Sequence, residues 1–193
     1  MAVIARASLE EYFKEQVEGA LVQQRVPASD DTAHYVVQLL AAAVRHDASS
    51  RAADLLDARP LAVRLAAALD ERCPSPGRAL RDVADAALLL GGYFARTASS
   101  RGMTTAYYHR VGGFAYGSLS QASDVLAPVF KDLADRFAQY ADVLGEVGQR
   151  AEMQTPRGLV RALESWQRSR DRVTGRLLAE RGVVLSRRPT RLQ

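Results

Sequence analysis

His109, Gly113 and Tyr116 stand four and three residues apart, which places an imidazole and a phenol on one helical face with a missing side chain between them. A gap of that kind holds a water or a small ligand, and a histidine beside it serves as general base or metal ligand. Tyr93, Tyr107 and Tyr108 bring further hydroxyls if the chain folds back on itself between residues 88 and 120, a stretch with six of the 13 glycines and four of the seven tyrosines. Arg110 is the one strong charge beside His109 in a run otherwise suited to burial. If buried, it needs a carboxylate, and Asp82, Asp85 and Asp124 are the candidates. His109, Gly113, Tyr116, Tyr93, Tyr108 and Arg110 are thus the candidate ligand-binding residues. The competing expectation is a core histidine bonded to a backbone carbonyl among packing aromatics, and no residue is assigned a catalytic role.

The elements that must position these groups read as helices throughout. Ser8 and Glu11 have capping-box spacing, and Leu9, Phe13, Val17 and Leu21 recur helically behind them until Pro27. Ser29, Asp30 and Asp31 offer the cap for a second helix, which runs to about His46. Residues 51–58 are hard to read, a helical turn or two at most. Pro60 resets the pattern for a short helix ending near Cys73, and Pro74-Ser75-Pro76-Gly77 punctuates the chain before the next one.

The segment 79–96 starts amphipathic, with Arg81, Asp82 and Asp85 expected outward, and from Ala86 to Ala95 carries no charge on any face. A helix apolar all round is buried all round. Residues 106–120 form its partner after a turn at Gly102. Small residues four apart (Ala87, Gly91 and Ala95; Gly113 and Gly117) suit close backbone approach. Segments 126–147 and 159–178 continue the four-three alternation and are expected to pack as a second hairpin against this one. The fold class expected is all-α: a single compact bundle of about six helices over residues 1–183 around a central Gly/Ala-rich hairpin, with a basic mobile tail over 184–193.

Other chemistry fits poorly. Cys73 is the only cysteine, which excludes an intramolecular disulfide and thiolate-based metal sites. His34 with Asp30 and Asp31 lacks the Glu-x-x-His pairs of a carboxylate-bridged bundle centre, so no metal or other cofactor is expected. The dipeptide His46-Asp47 is similar to the signature of HD-domain phosphohydrolases, but His34 is too close to supply the further histidine. The stretch Gly112–Gly117 lacks the strand and the Lys-Ser/Thr of a phosphate loop, and no nucleophile elbow is present.

Arginines number 24 against two lysines, for a net charge of +4. With abundant alanine this reads first as the composition of a GC-rich, bacterial genome. Residues 168–193 carry eight arginines against Asp171 and Glu180, a possible nucleic-acid contact that the same bias argues against. Glu10 and Glu11 interrupt any apolar leader, and no stretch is long and apolar enough to span a bilayer, so a cytoplasmic protein without membrane contact is expected. The favoured functional expectation is a non-catalytic regulatory or scaffold protein, associating with a protein partner or with itself through Leu163, Trp166, Arg170 and Val173. A ligand pocket or enzyme site beside His109, Gly113 and Tyr116 is the alternative.

Overall fold

The computed structural model describes residues 2–45, 55, 59–99, 102–121 and 125–185, and every regular element among them is a helix. In chain order these are α1 (Ala2–Gln24), α2 (Asp30–Val44), α3 (Leu61–Leu69), α4 (Pro76–Gly91), α5 (Ala95–Ser99), α6 (Thr105–Ser120), α7 (Ala127–Asp135), α8 (Phe137–Glu152), α9 (Pro156–Ser169) and α10 (Arg172–Glu180). Among the described residues ten helices replace the expected six or so, chiefly because three segments expected to be continuous each break in two.

Each break has its own local geometry. Residues 79–96 divide at Gly92 (φ −115°, ψ −94°), where an added Cβ would lie 2.7 Å from Leu144 Cβ and 2.8 Å from the Ala141 carbonyl. Residues 126–147 divide at Arg136 (φ −120°, ψ 27°). Residues 159–178 divide at Arg170, which takes the left-handed conformation (φ 54°), and Asp171 then caps α10 by accepting from the Thr174 N–H at 2.7 Å. At the other end of the chain, α1 runs through Ser8, so the capping-box spacing there does not mark its start.

Packing divides the chain into two compact units, Met1–Val147 and Gly148–Gln193. In the first, α4 and α6 pack as the central pair. α3 lies on both, α7 on α6 and α2, and α1 on α2. Ala86, Ala87, Leu88, Leu89, Leu90 and Gly91 are all buried, as an uncharged helix requires. α6 is instead one-sided: Tyr108, Val111, Gly112, Ala115 and Tyr116 are buried, while Arg110 and Phe114 face solvent.

The small residues do let α4 and α6 approach closely, one position away from the expected register. A Cβ on Gly112 would meet Phe137 at 2.3 Å and Ala87 Cβ at 2.9 Å, and one on Gly91 would meet Tyr108 Cβ at 3.1 Å. At Gly113 and Gly117 the nearest atoms are 3.9 and 4.0 Å away, which is ordinary contact. In the second unit α9 packs on α10 around Met153, Ala162, Leu177 and Leu178. No helix among the described residues is long and apolar enough to cross a membrane.

Candidate functional site

Four helices of the first unit converge on one carboxylate. Helix α4 carries Arg81 and Asp85 one turn apart and so on one face, α2 supplies Tyr35, α6 supplies Tyr116 and α7 supplies Phe130. Both phenols donate to the same oxygen, Asp85 Oδ1, Tyr35 at 2.6 Å and Tyr116 at 2.7 Å. Tyr116 is fully buried and stacks on Phe130 with ring centroids 5.8 Å apart, and Tyr35 meets the same ring edge-on at 5.7 Å.

The arginine lies across this aromatic floor. Arg81 Nε donates to the Tyr35 hydroxyl at 3.0 Å, and its guanidinium sits 5.0 Å from the Tyr35 ring centre and 5.9 Å from that of Phe130. It stops 3.8 Å from Asp85 Oδ2, an ion-pair distance too long for a hydrogen bond. Burial pushes the Asp85 carboxyl above its ordinary 3.8, against the two phenols and Arg81, which pull it down. Burial, followed by the Asp85 charge, raises Tyr35 and Tyr116 well above the ordinary phenol value, so both remain donors.

Above this floor opens a cleft of about 620 Å³, lined by Gly77, Arg78, Asp82 and Leu119 together with Arg81, Asp85 and Phe130. The volume suits a small molecule. Its charged groups are two guanidiniums and two carboxylates, so the lining is balanced in charge. No protein-family model, no curated protein and no solved structure matches this chain. The site is therefore read from its own geometry.

A second cluster repeats the composition. Tyr140 donates to Asp132 Oδ2 at 2.6 Å, and Arg136, four residues on, closes directly on Asp132 Oδ1. Among the described residues no group of three or more histidine, cysteine or carboxylate side chains is placed to hold a metal ion. His46, Asp47 and Asp124 lie outside the described residues.

The expected site residues separate. Tyr116 turns to Asp85, whereas His109 packs against Phe137 at a centroid distance of 5.7 Å, with its Nε2 buried and without a hydrogen-bond partner. His109 is close enough to Asp142 to pull that carboxyl down, though burial prevails and leaves it raised. The space beside Gly113 is bounded by Phe137 Cβ and the Ala134 carbonyl, both 3.9 Å from where its Cβ would be. Tyr93 packs edge-on to Phe13 and Phe94, Tyr108 is buried against Gly91, and Tyr107 accepts the Ala62 N–H at 3.0 Å, tying α3 to α6. Arg110 is exposed, and Asp85, one of its three candidate partners, takes Arg81 instead.

Sequence reading missed Tyr35, and offered Asp85 only as a partner for Arg110. The available signal was that a tyrosine buried on an inward face needs an acceptor, and Asp85 borders the buried run of α4. In the second unit, Leu163, Trp166 and Val173 pack half-buried around the α9–α10 interior, and Arg170 lies over the Trp166 ring at 4.5 Å. A Cβ on Gly175 would lie 2.7 Å from Trp166 Nε1. The four residues come together, but largely to serve their own hairpin.

Proposed function

We propose that this protein binds a small zwitterion of the amino-acid class in the cleft above Asp85. The observation that carries the reading is the division of labour on one carboxylate that lines the cleft: two phenols occupy Oδ1, while an arginine is held short of Oδ2. A protonated amine fits Oδ2 and Asp82, an anionic group fits the forks of Arg78 and Arg81, and an apolar side chain fits Phe130 and Leu119. Charge balance in the lining favours a ligand that is itself neutral overall. The association surface expected at Leu163, Trp166, Arg170 and Val173 is less well supported, because three of these side chains are half-buried in their own unit.

Amide chemical-shift mapping tests the assignment. Leucine and phenylalanine at millimolar concentration are expected to move the amides of Arg78, Arg81, Asp82 and Asp85. N-acetylation of the ligand and Arg81→Ala in the protein should each weaken binding about tenfold, the equivalent of one charged hydrogen bond. If no amino acid moves these amides, or Arg81→Ala and Asp85→Asn both bind as the parent chain does, the reading fails.

A further inference from the structure

The chain's charge is divided as sharply as its packing. Residues 148–193 carry 11 arginines, no lysine and four carboxylates, a net +7, whereas residues 1–147 carry 15 basic and 18 acidic side chains, a net −3. A nucleotide-composition bias enriches arginine along a whole gene. It does not account for a density of about one residue in four in the second unit against about one in eleven in the first.

The break at Arg170 gives this charge a surface. On α9, Arg157, Arg161 and Arg168 are exposed at i, i+4 and i+11, one outward stripe interrupted by Glu164, on the opposite side from Ala162 and Trp166. At the helical rise the stripe runs about 16 Å. Exposed Arg172 and Arg181 flank α10. Like charges one turn apart destabilise a helix, and a polyanion alongside reverses that cost.

We infer that the second unit docks on the phosphate backbone of duplex nucleic acid along Arg157, Arg161 and Arg168. Arginine's planar fork matches phosphate geometry, and the unit contains no lysine. Single-strand binding would need exposed aromatic platforms, whereas the lone tryptophan, Trp166, is half-buried and covered by Arg170. An anionic membrane would need an apolar helical face to insert, and the apolar face of α9 is taken up against α10, leaving Val160 as its exposed large apolar residue.

Fluorescence anisotropy of the full chain with a labelled duplex tests this. Each phosphate contact contributes a slope of about −0.9 in log affinity against log salt, so three to five contacts predict a loss of about 40- to 500-fold between 50 and 200 mM salt. The triple variant Arg157→Gln/Arg161→Gln/Arg168→Gln, with an unchanged melting curve, should bind at least tenfold more weakly and flatten the slope by about 2.7. The same charge loss in the first unit, Arg25→Gln/Arg72→Gln/Arg110→Gln, should leave binding within about twofold. The inference is overturned by any of four results: no binding at low salt, equal weakening by the two triple variants, competition by polyglutamate as effective as by unlabelled duplex, or equal affinity for phosphatidylserine vesicles.

Discussion

Replacing Asp85 by alanine removes the acceptor of two phenols at once. Tyr116 is wholly buried, so its hydroxyl at 2.7 Å has no water to turn to, and a stranded buried donor costs about 1–3 kcal/mol. Tyr35 is buried too but keeps the Arg81 Nε–H on its oxygen, which puts Asp85→Ala at about 2–4 kcal/mol in total. Asp85→Asn keeps a carbonyl oxygen at the same place and should cost less than about 1.5 kcal/mol near neutral pH. The sign of the pH dependence follows from burial. The folded-state pKa of Asp85 is raised above its ordinary 3.8, so its contribution to stability is full below 3.8 and is lost as pH rises through the raised value. Asparagine does not titrate, so the parent chain should lose stability relative to Asp85→Asn across that window. The assay is urea unfolding followed by tyrosine near-ultraviolet dichroism, because all seven tyrosines lie in the first unit while Trp166 reports on the second. Adding Tyr116→Phe to Asp85→Ala removes the stranded hydroxyl, and the cycle should return a coupling of at least about 1 kcal/mol. A coupling below about 0.3 kcal/mol, or a single-variant cost below about 1 kcal/mol, refutes the claim that Asp85 holds Tyr116.

Three further outcomes follow from the packing and the caps. Gly112→Ala drives a methyl into Phe137 and should destabilise the first unit by about 1–3 kcal/mol, whereas Gly113→Ala meets only contacts at 3.9 Å and should stabilise it by about 0.5–1 kcal/mol; thermal melts of the pair decide the register. Arg110→Met should leave stability within about 0.5 kcal/mol, because Arg110 is exposed. Asp171→Ala removes the α10 cap at a cost of about 1 kcal/mol, read from Trp166 fluorescence in urea. Burial pulls the Asp171 carboxyl up, but bonds from Thr174 and the adjacent N–H groups hold it below 3.8. The cap's contribution is therefore present above 3.8 and lost as pH falls through the folded value.

The helical class and the buried centre were legible because composition carried them: Pro60, Pro76 and Pro156 each stand at or beside a helix boundary, and an uncharged run left the second half of α4 no face for water. The breaks at Arg136 and Arg170 were not legible. Phe130, Leu133, Phe137 and Tyr140 keep their spacing straight across the first, and Leu163, Trp166, Val173 and Leu177 across the second. Periodicity records which side chains face inward, and a kink or turn that returns the next helix to the same core preserves it. Tyr116 could be read as inward-facing because its face is local to α6. Asp85 was misplaced outward because its donors come from residues 31 and 50 positions away, which no helical spacing encodes.

The two Tyr-Asp-Arg clusters separate a structural role from a binding one. In both, aspartate and arginine stand four residues apart in the chain and a buried phenol donates to the carboxylate. At Asp132 the arginine lies directly against the second oxygen; at Asp85 it stops at 3.8 Å, beside a cleft. Packing alone gives no reason to keep a desolvated carboxylate beside the cleft when asparagine would serve the phenols. Opposite sensitivities are therefore expected. Arg136→Gln should destabilise by about 0.5–1 kcal/mol, the modest value reflecting a side chain 39% exposed, and leave ligand binding intact. Arg81→Gln, 45% exposed and not in hydrogen-bond contact with Asp85, should leave the melt nearly unchanged and weaken binding about tenfold. Equal losses of stability from both variants, with no effect of either on binding, would make Asp85 a second Asp132 and remove the basis for a site.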